Sequence, residues 1–254
     1  MLNHNEPRPF AVEHEHGASP FFFTCDHAGR LIPSALGDLG VSEAERSRHI
    51  AWDIGVAGLG RRLAARLDAF LITQTYSRLV IDCNRHPGSA QSIVTVSERT
   101  PIPGNVGLSG TDVAARVEQI FRPYHDRIVT ELDARAARGQ TTVVVTLHSF
   151  TPVYMEHARA MHAGVLYSRD ARLGHPLLEQ LRAEGDIVVG DNEPYAATEA
   201  TDYALVVHGE RRGLLNVEIE VRQDLIEHAV GQDAWADRLA RALPRALANV
   251  SVAL

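Results

Sequence analysis

The most informative stretch of the chain is Thr141-Thr142-Val143-Val144-Val145-Thr146-Leu147-His148-Ser149-Phe150-Thr151-Pro152. Its run of β-branched residues predicts a buried strand, and Pro152 limits how far that strand can continue. His148 therefore stands at the end of a central strand, where α/β sheets place their ligands. We expect His148 to belong to a functional site, and the alternative is a satisfied core histidine.

Three other predicted strands repeat this pattern of polar groups at or near their ends. These are Asp26-His27 after Phe21–Cys25, Asn84-Arg85 after the run 78–83, and Glu218 and Glu220 inside the run 217–222. Charged and metal-binding groups at several strand ends predict one shared active site.

Strands alternate with helices along the chain. The predicted order is strand 20–26, helix 42–67, strands 69–75 and 78–83, loop 85–110, helix 111–138, strands 141–147 and 163–168, helix 174–184, strand 186–190, a loop to about 202, strands near 203–208 and 214–222, and helix 233–249. This alternation predicts a three-layer α/β/α fold whose central sheet is mixed but mostly parallel, with an antiparallel edge late in the chain. No linker separates domains, so we expect a single domain over residues 1–254. The loop 85–110 has the length of a lid or a substrate-contacting segment, the alternative being a surface loop without a role.

The composition narrows the class of protein. The net charge of −7 argues against nucleic acid or an anionic membrane as a partner. All 25 basic residues are arginine, which excludes Schiff-base chemistry, a pyridoxal-phosphate lysine and a Walker-type phosphate loop. The N-terminus lacks the basic and apolar regions of a signal peptide, and Cys25 and Cys83 fit buried core thiols. We therefore expect a cytoplasmic enzyme acting on a small molecule; the oligomeric state stays open.

Two histidines at strand ends, His27 and His148, need one carboxylate to complete the ligand set of a catalytic zinc site. The carboxylate is either Asp26 or Asp53. His49 and Asp53 are four residues apart and would share one face of the predicted helix. Spacing alone does not choose between a ligand and a surface pair.

Two further groups of residues suggest roles in binding and in catalysis: Asn84-Arg85, and the two acids of the last strand. An arginine fork beside an amide suits a two-point clamp on a carboxylate, although a surface salt bridge is the simpler alternative. Glu218 and Glu220 point to one face of their strand, and buried carboxylates need partners. One of them is a candidate general base, and Arg222 on the same face could orient them.

Seven motifs in order resemble the N-formylglutamate amidohydrolase family. They are Asp26-His27-Ala28-Gly29 with Ile32-Pro33, the segment His49–Gly55, the segment Tyr76–Arg85, the segment Pro101–Asn105, the segment Leu147–Pro152, the segment Asn192–Tyr195, and the segment Ile219–Arg222. The resemblance covers about residues 20 to 240. It implies a zinc-carboxypeptidase-like α/β/α fold and hydrolysis of the amide bond of an N-acyl amino acid.

The resemblance also implies roles for single residues. It assigns one Zn²⁺ to His27, Asp53 and His148, the general base to Glu220, the site for the substrate carboxylate to Asn84 and Arg85, and an oxyanion contact to His208. Arg222 or Arg212 would read a side-chain carboxylate, and the sequence does not choose between them. Two positions depart from related patterns. Arg30 stands where zinc carboxypeptidases of the wider superfamily have a Glu ligand, which favours Asp53, and Arg159–His162 differs from an Arg-Pro-Trp-His pattern.

The expected function is therefore metal-dependent hydrolysis of N-formyl-L-glutamate or a close relative. One alternative is an amidase or deacylase for another N-acyl amino acid or a small peptide. The other is a binder of a small acidic ligand without turnover. The sequence leaves the acyl group, the metal and the pathway open.

Overall fold

The computed structural model describes residues 1–250, and the centre of the fold is a seven-stranded mixed sheet. The strands are β1 (Phe10–Glu13), β2 (Phe21–Cys25), β3 (Phe70–Gln74), β4 (Val96–Ser97), β5 (Thr100–Pro101), β6 (Val143–Phe150), β7 (Val153–Tyr154), β8 (His157–Ala158), β9 (Ala163–Leu166), β10 (Val189–Asp191) and β11 (Leu215–Arg222). The sheet has the order β1-β3-β2-β6-β11-β9-β10, while β4-β5 and β7-β8 form two small hairpins.

Six α-helices accompany the strands in the described part of the chain. They are α1 (Glu43–Arg46), α2 (Val56–Leu67), α3 (Gly110–Arg116), α4 (Arg122–Ala137), α5 (Gly174–Ala183) and α6 (Ala229–Ala248). A π-helical segment, Val117–Phe121, joins α3 to α4. None of the helices within residues 1–250 has the length and apolar composition that crossing a membrane requires.

The four central strands β3, β2, β6 and β11 run parallel, and both edges contain antiparallel pairs. At one edge β1 pairs antiparallel with β3, and at the other β9 pairs antiparallel with β11. The mixed, mostly parallel sheet and its late antiparallel edge are thus confirmed. Strand β1 was not predicted, because four residues at an edge carry little of the alternation that identifies a strand.

Successive side chains of β2 enter two different cores, one on each face of the sheet. Phe21 and Phe23 pack with α2, α5 and α6, whereas Phe22 packs with the α4 side chains. This division confirms the three-layer α/β/α architecture. It also means that the polar ends of the strands lie between two apolar layers.

The predicted helix 42–67 is wrong, because the chain leaves the helical path between α1 and α2. Gly55 has φ 84°, and a Cβ there would lie 2.1 Å from the carbonyl oxygen of Ile226. Only glycine combines this left-handed conformation with so close an approach. In the break, the Asp53 N–H donates to the His27 carbonyl at 2.9 Å, so the interruption brings Asp53 beside His27.

The predicted strands 78–83 and 203–208 are also wrong. Residues 78–83 form turns whose apolar side chains Leu79, Val80 and Ile81 are buried without a strand partner. Residues 204–209 form a π-helical segment whose first N–H, that of Ala204, donates to Asn84 Oδ1 at 3.1 Å. In both segments the apolar run reflects burial, which periodicity cannot distinguish from strand pairing over so few residues.

Candidate active site

The face of the sheet that packs on α4 becomes polar toward the carboxyl ends of its central strands. In the register of β6 and β11, Thr146 lies opposite Glu218 and His148 lies opposite Glu220. Parallel neighbours in register share a face, so His148 and Glu220 stand side by side. The prediction that Glu218 and Glu220 point to one face is confirmed, and both are buried.

His27, Asp53 and His148 form a compact group in which each residue offers one ligand atom and all three atoms lie within 4.8 Å of one another. Asp53 Oδ2 is 3.0 Å from His148 Nδ1 and 3.5 Å from His27 Nδ1. The Ser149 N–H donates to the same oxygen at 3.1 Å. Burial alone would raise the pKa of Asp53, but the two imidazoles outweigh burial and hold this pKa well below its ordinary value.

In both imidazoles Nε2, the nitrogen on the side away from Asp53, faces another carboxylate, as the second nitrogen of a ligating histidine does in metal centres. His27 Nε2 donates to Asp82 Oδ1 at 2.7 Å, and the buried His27 Nδ1 has no hydrogen-bond partner. His148 Nε2 is 3.5 Å from Asp26 Oδ2. His27 Nδ1 thus keeps its lone pair for a cation, whereas His148 Nδ1 lies within hydrogen-bond distance of Asp53 Oδ2 and would give up its proton to bind a metal. Two imidazoles with one carboxylate are a donor set that suits zinc. Asp53 lies in this group, whereas Asp26 lies behind His148.

Arg78 and Asp82 are two site residues that the sequence analysis did not assign. Arg78 Nη2 is 2.6 Å from Asp82 Oδ2, and Arg78 Nη1 is 3.7 Å from Asp53 Oδ1. Burial would raise the pKa of Asp82, but Arg78 and His27 hold it well below its usual range. The sequence did contain a signal for this pair. Arg78 and Asp82 are four residues apart and enclose an apolar run, which is unusual for an exposed ion pair.

Glu220 faces the cavity as a buried carboxyl group with an unusual proton affinity. Burial raises the pKa of Glu220 to about 8; Asp53 and Asp202 add to the shift, while His148 and Arg78 oppose it. Its Oε2 has no hydrogen-bond partner. The neighbouring Glu218 is held differently, since Thr146 Oγ1 donates to its Oε2 at 3.0 Å. Glu220 is therefore the less constrained of these two buried carboxyl groups.

Asn84 and Arg85 both line the cavity, but they are bound differently. Asn84 Oδ1 accepts from the Ala204 N–H, and its Nδ2 lies 3.5 Å from His148 Nε2. The amide thus ties His148 to the segment 204–209. Arg85 donates through Nη1 to the backbone carbonyls of Asn84 and Thr201. It forms no ion pair with a carboxylate of residues 1–250, so its charge is available to a ligand.

The structure keeps three predicted site residues out of the cavity lining. His208 is buried and its Nε2 is 2.9 Å from His125 Nδ1. Arg212 lies on the surface, 2.6 Å from Asp133. Arg222, the last residue of β11, pairs with Asp224 at 2.8 Å. None of the three is brought to the ligand group.

Loops close a cavity of about 470 Å³ over these side chains. The long loop 85–110 lines it through residues that include Ser97 and Glu98, which supports a substrate-contacting role. His49 Nε2 lies 3.0 Å from Glu98 Oε1, so His49 anchors this loop and does not pair with Asp53 on a helix.

Another segment of the cavity lining follows β10 and passes close to β9. A Cβ on Gly164 would lie 2.1 Å from the carbonyl oxygen of Glu193, so this close approach requires glycine there. Gly164 is opposite Glu220 in the register of β9 and β11. The segment brings Tyr195 and Asp202 into the lining, two residues that the sequence analysis did not assign.

Comparison with known proteins places this site in a family. The model of the N-formylglutamate amidohydrolase family matches residues 19–227. N-formylglutamate deformylase of Pseudomonas putida is 28% identical over 207 residues, which cover 78% of this chain and 73% of that protein.

Two solved structures share the whole architecture. A gene product of Agrobacterium tumefaciens has 37% identity and a TM-score of 0.95, with 98% of each chain covered. N-formylglutamate amidohydrolase of Ralstonia eutropha JMP134 has 20% identity and a TM-score of 0.69, with 96% of this chain and 98% of that chain covered, which shows a common fold. Since the family model spans most of the sequence, the chain belongs to the N-formylglutamate amidohydrolase family.

Proposed function

We propose that this protein is a metal-dependent amidohydrolase that removes the acyl group from an N-acyl amino acid, with N-formyl-L-glutamate as its substrate. One observation carries the proposal: His27, Asp53 and His148 converge on one point, and Glu220 stands in register beside His148. A cation site next to an unpaired buried carboxyl group is the arrangement that hydrolysis of an amide requires.

The three converging side chains would hold one divalent cation, for which Zn²⁺ is the best match to the donor set. When bound, the cation would polarise the scissile carbonyl and make water more acidic. Asp82 fixes the tautomer of His27 by accepting from its Nε2, which leaves Nδ1 free as a donor of electrons.

Glu220 supplies the proton transfers. It takes a proton from the attacking water as the oxygen bonds to the formyl carbon, and gives that proton to the amide nitrogen as the C–N bond breaks. Formate and the free amino acid are the products. Burial raises the pKa of Glu220, and the charge of a bound cation would lower it again, so that the ionised carboxylate can accept the first proton.

Arg85 supplies orientation. Its guanidinium is anchored on two backbone carbonyls and keeps further N–H groups for the α-carboxylate of the substrate. Asn84 acts beside it as a brace for His148. Anchored donors place the amide bond against Glu220 without further ordering of the arginine.

The test is metal analysis of the purified protein together with a panel of N-formyl, N-acetyl and N-succinyl amino acids. We expect about one divalent ion per chain and turnover of the N-formyl substrate. Protein without bound metal, and without a gain in activity on adding Zn²⁺, would contradict the proposal. Turnover confined to another acyl group would make the protein a related amidase, and binding without turnover would make it a binder.

A further inference from the structure

Arg159 lies outside the cavity lining itself and packs against three aromatic residues that belong to that lining. Its guanidinium carbon is 4.7 Å from the ring centre of Tyr195, 4.9 Å from that of Tyr154 and 5.7 Å from that of Phe150. All three aromatic residues line the cavity. Rings that cover the faces of a guanidinium hold its plane in place and leave its N–H edges free for planar partners.

The backbone around Arg159 is fixed as well. Its N–H donates to the carbonyl of Pro152 at 2.8 Å. Arg222 donates to the carbonyls of Arg159 and Met161 at 3.2 and 3.3 Å. Arg222, which the sequence placed in the site itself, thus acts on the site by holding the segment that carries Arg159.

The charge of Arg159 is not neutralised by the protein. Its Nη1 donates to Tyr195 Oη at 2.7 Å, and within residues 1–250 it forms no ion pair with a carboxylate. Arg78, in contrast, is paired with Asp82, and Arg48 is paired with Glu45 and Glu98. Within residues 1–250, Arg85 in the cavity lining and Arg159 next to that lining thus form no ion pair with a carboxylate.

Two free guanidinium groups match a ligand with two carboxylates, because each can form a bidentate, charge-assisted pair. Arg85 lies next to Asn84 and hence beside His148, whereas Arg159 packs against Tyr154 and Tyr195 of the lining. A substrate whose amide bond faces Glu220 presents its α-carboxylate close to the reacting bond and its side chain farther out.

We propose that Arg159 determines substrate specificity by binding the side-chain carboxylate of an acylated dicarboxylic amino acid; this inference rests on the proposed function. Arg85 binds the α-carboxylate, which every amino acid substrate shares. Arg85 thus contributes affinity for every substrate, and Arg159 contributes the preference for substrates with a second carboxylate.

The experiment compares N-formyl-L-glutamate with N-formyl-L-glutamine, which has the same shape without the second charge. Arg159→Gln should lower kcat/KM for the glutamate substrate about 10- to 100-fold, as expected for loss of a charge-assisted pair. It should change kcat/KM for the glutamine substrate less than about threefold, since only the common contacts remain. Arg159→Lys should recover only part of the preference, because lysine keeps the charge without the planar fork.

Two variants serve as controls. Arg99→Gln removes the same charge from the β4–β5 hairpin, where Arg99 pairs with Glu156, and should leave the preference unchanged. Arg85→Gln should weaken both substrates equally. Thermal unfolding of each variant checks that the fold is kept.

An equal loss on both substrates in Arg159→Gln, or an unchanged preference, would overturn the assignment. Calorimetric binding of the two compounds to the metal-free protein separates this result from failure of the proposed function. Stronger binding of N-formyl-L-glutamate that disappears in Arg159→Gln supports the assignment even without turnover, whereas equal binding of both compounds rejects it.

Discussion

At the residue scale, the proposed function makes turnover depend on Glu220. Glu220→Gln keeps the size and burial of the side chain and removes its ability to accept a proton. We expect kcat to fall about 10²- to 10⁴-fold while the metal content stays at the wild-type level. Steady-state kinetics with metal analysis of the same preparations checks this. Retained activity would assign the base elsewhere, and Glu227→Gln at the surface is the matched control.

In the proposed metal site, Asp82 would act through His27, which donates to it at 2.7 Å. Asp82→Asn removes the charge that orients the imidazole and should weaken metal binding about 10- to 100-fold. Competition with a chromophoric chelator measures the affinity. Asp237→Asn removes a surface carboxylate that pairs with Arg66 and should leave the affinity unchanged. Equal affinities of the two variants would show that Asp82 does not support the ligand.

At the element scale, the break between α1 and α2 is what carries Asp53 into the site. Gly55→Ala places a Cβ 2.1 Å from the Ile226 carbonyl oxygen at φ 84°, so we expect a loss of at least about 2 kcal/mol of unfolding free energy. Gly213→Ala has a similar φ of 67° with no atom within 4 Å, and should lose only about 1 kcal/mol.

Urea unfolding of the two glycine variants measures the difference. If both variants lose the same amount, backbone conformation alone explains the effect and the contact with Ile226 does not matter. The Gly55 variant should also bind metal more weakly, because Asp53 lies two residues before the strained position.

At the scale of the whole molecule, the buried histidine pair between α4 and the segment 204–209 makes stability depend on pH. His125 Nε2 donates to the Cys83 carbonyl at 2.9 Å, so His125 Nδ1 must accept from His208 Nε2. A second proton on His125 has no acceptor in this arrangement. Burial lowers the pKa of His125 to about 4 and that of His208 well below its usual range.

The direction of this pH dependence follows from comparing proton binding in the unfolded and the folded chain. The unfolded chain binds protons on these histidines below about pH 6.5. In the folded chain the pKa of His125 is lowered to about 4, and that of His208 is lowered as well, so both bind protons only at lower pH. Stability should therefore be full above pH 6.5 and fall by roughly 1–3 kcal/mol as the pH drops toward 4. Urea unfolding at pH 7 and pH 5 checks this. His125→Gln should flatten the dependence and His4→Gln should not; identical slopes in all three proteins would contradict it.

Local sequence was sufficient for the alternation of helices and strands, for the burial of β6, and for the positions of His27, His148 and Glu220 at strand ends. These features depend on periodicity and on neighbouring residues, which a single sequence displays. Contacts with distant segments hold the stretches that were predicted wrongly. These are residues 47–55 within the predicted helix 42–67, residues 78–83 and residues 203–208. Examples are the bond from Asp53 to the His27 carbonyl and the bond from Ala204 to Asn84.

The sequence by itself determined the three-layer fold and the residue types of the site, because patterns of burial and charge are local properties. Spacing left Asp26 and Asp53 open and the family resemblance favoured Asp53; the tertiary structure places Asp53 with the two histidines. Only the tertiary structure decided that His208, Arg212 and Arg222 stay outside the cavity lining. It also places Asp82 against His27 and Arg78 against Asp82. The physical reason is that a site is defined by distances of a few ångströms between residues far apart in the chain, and those distances are set by packing.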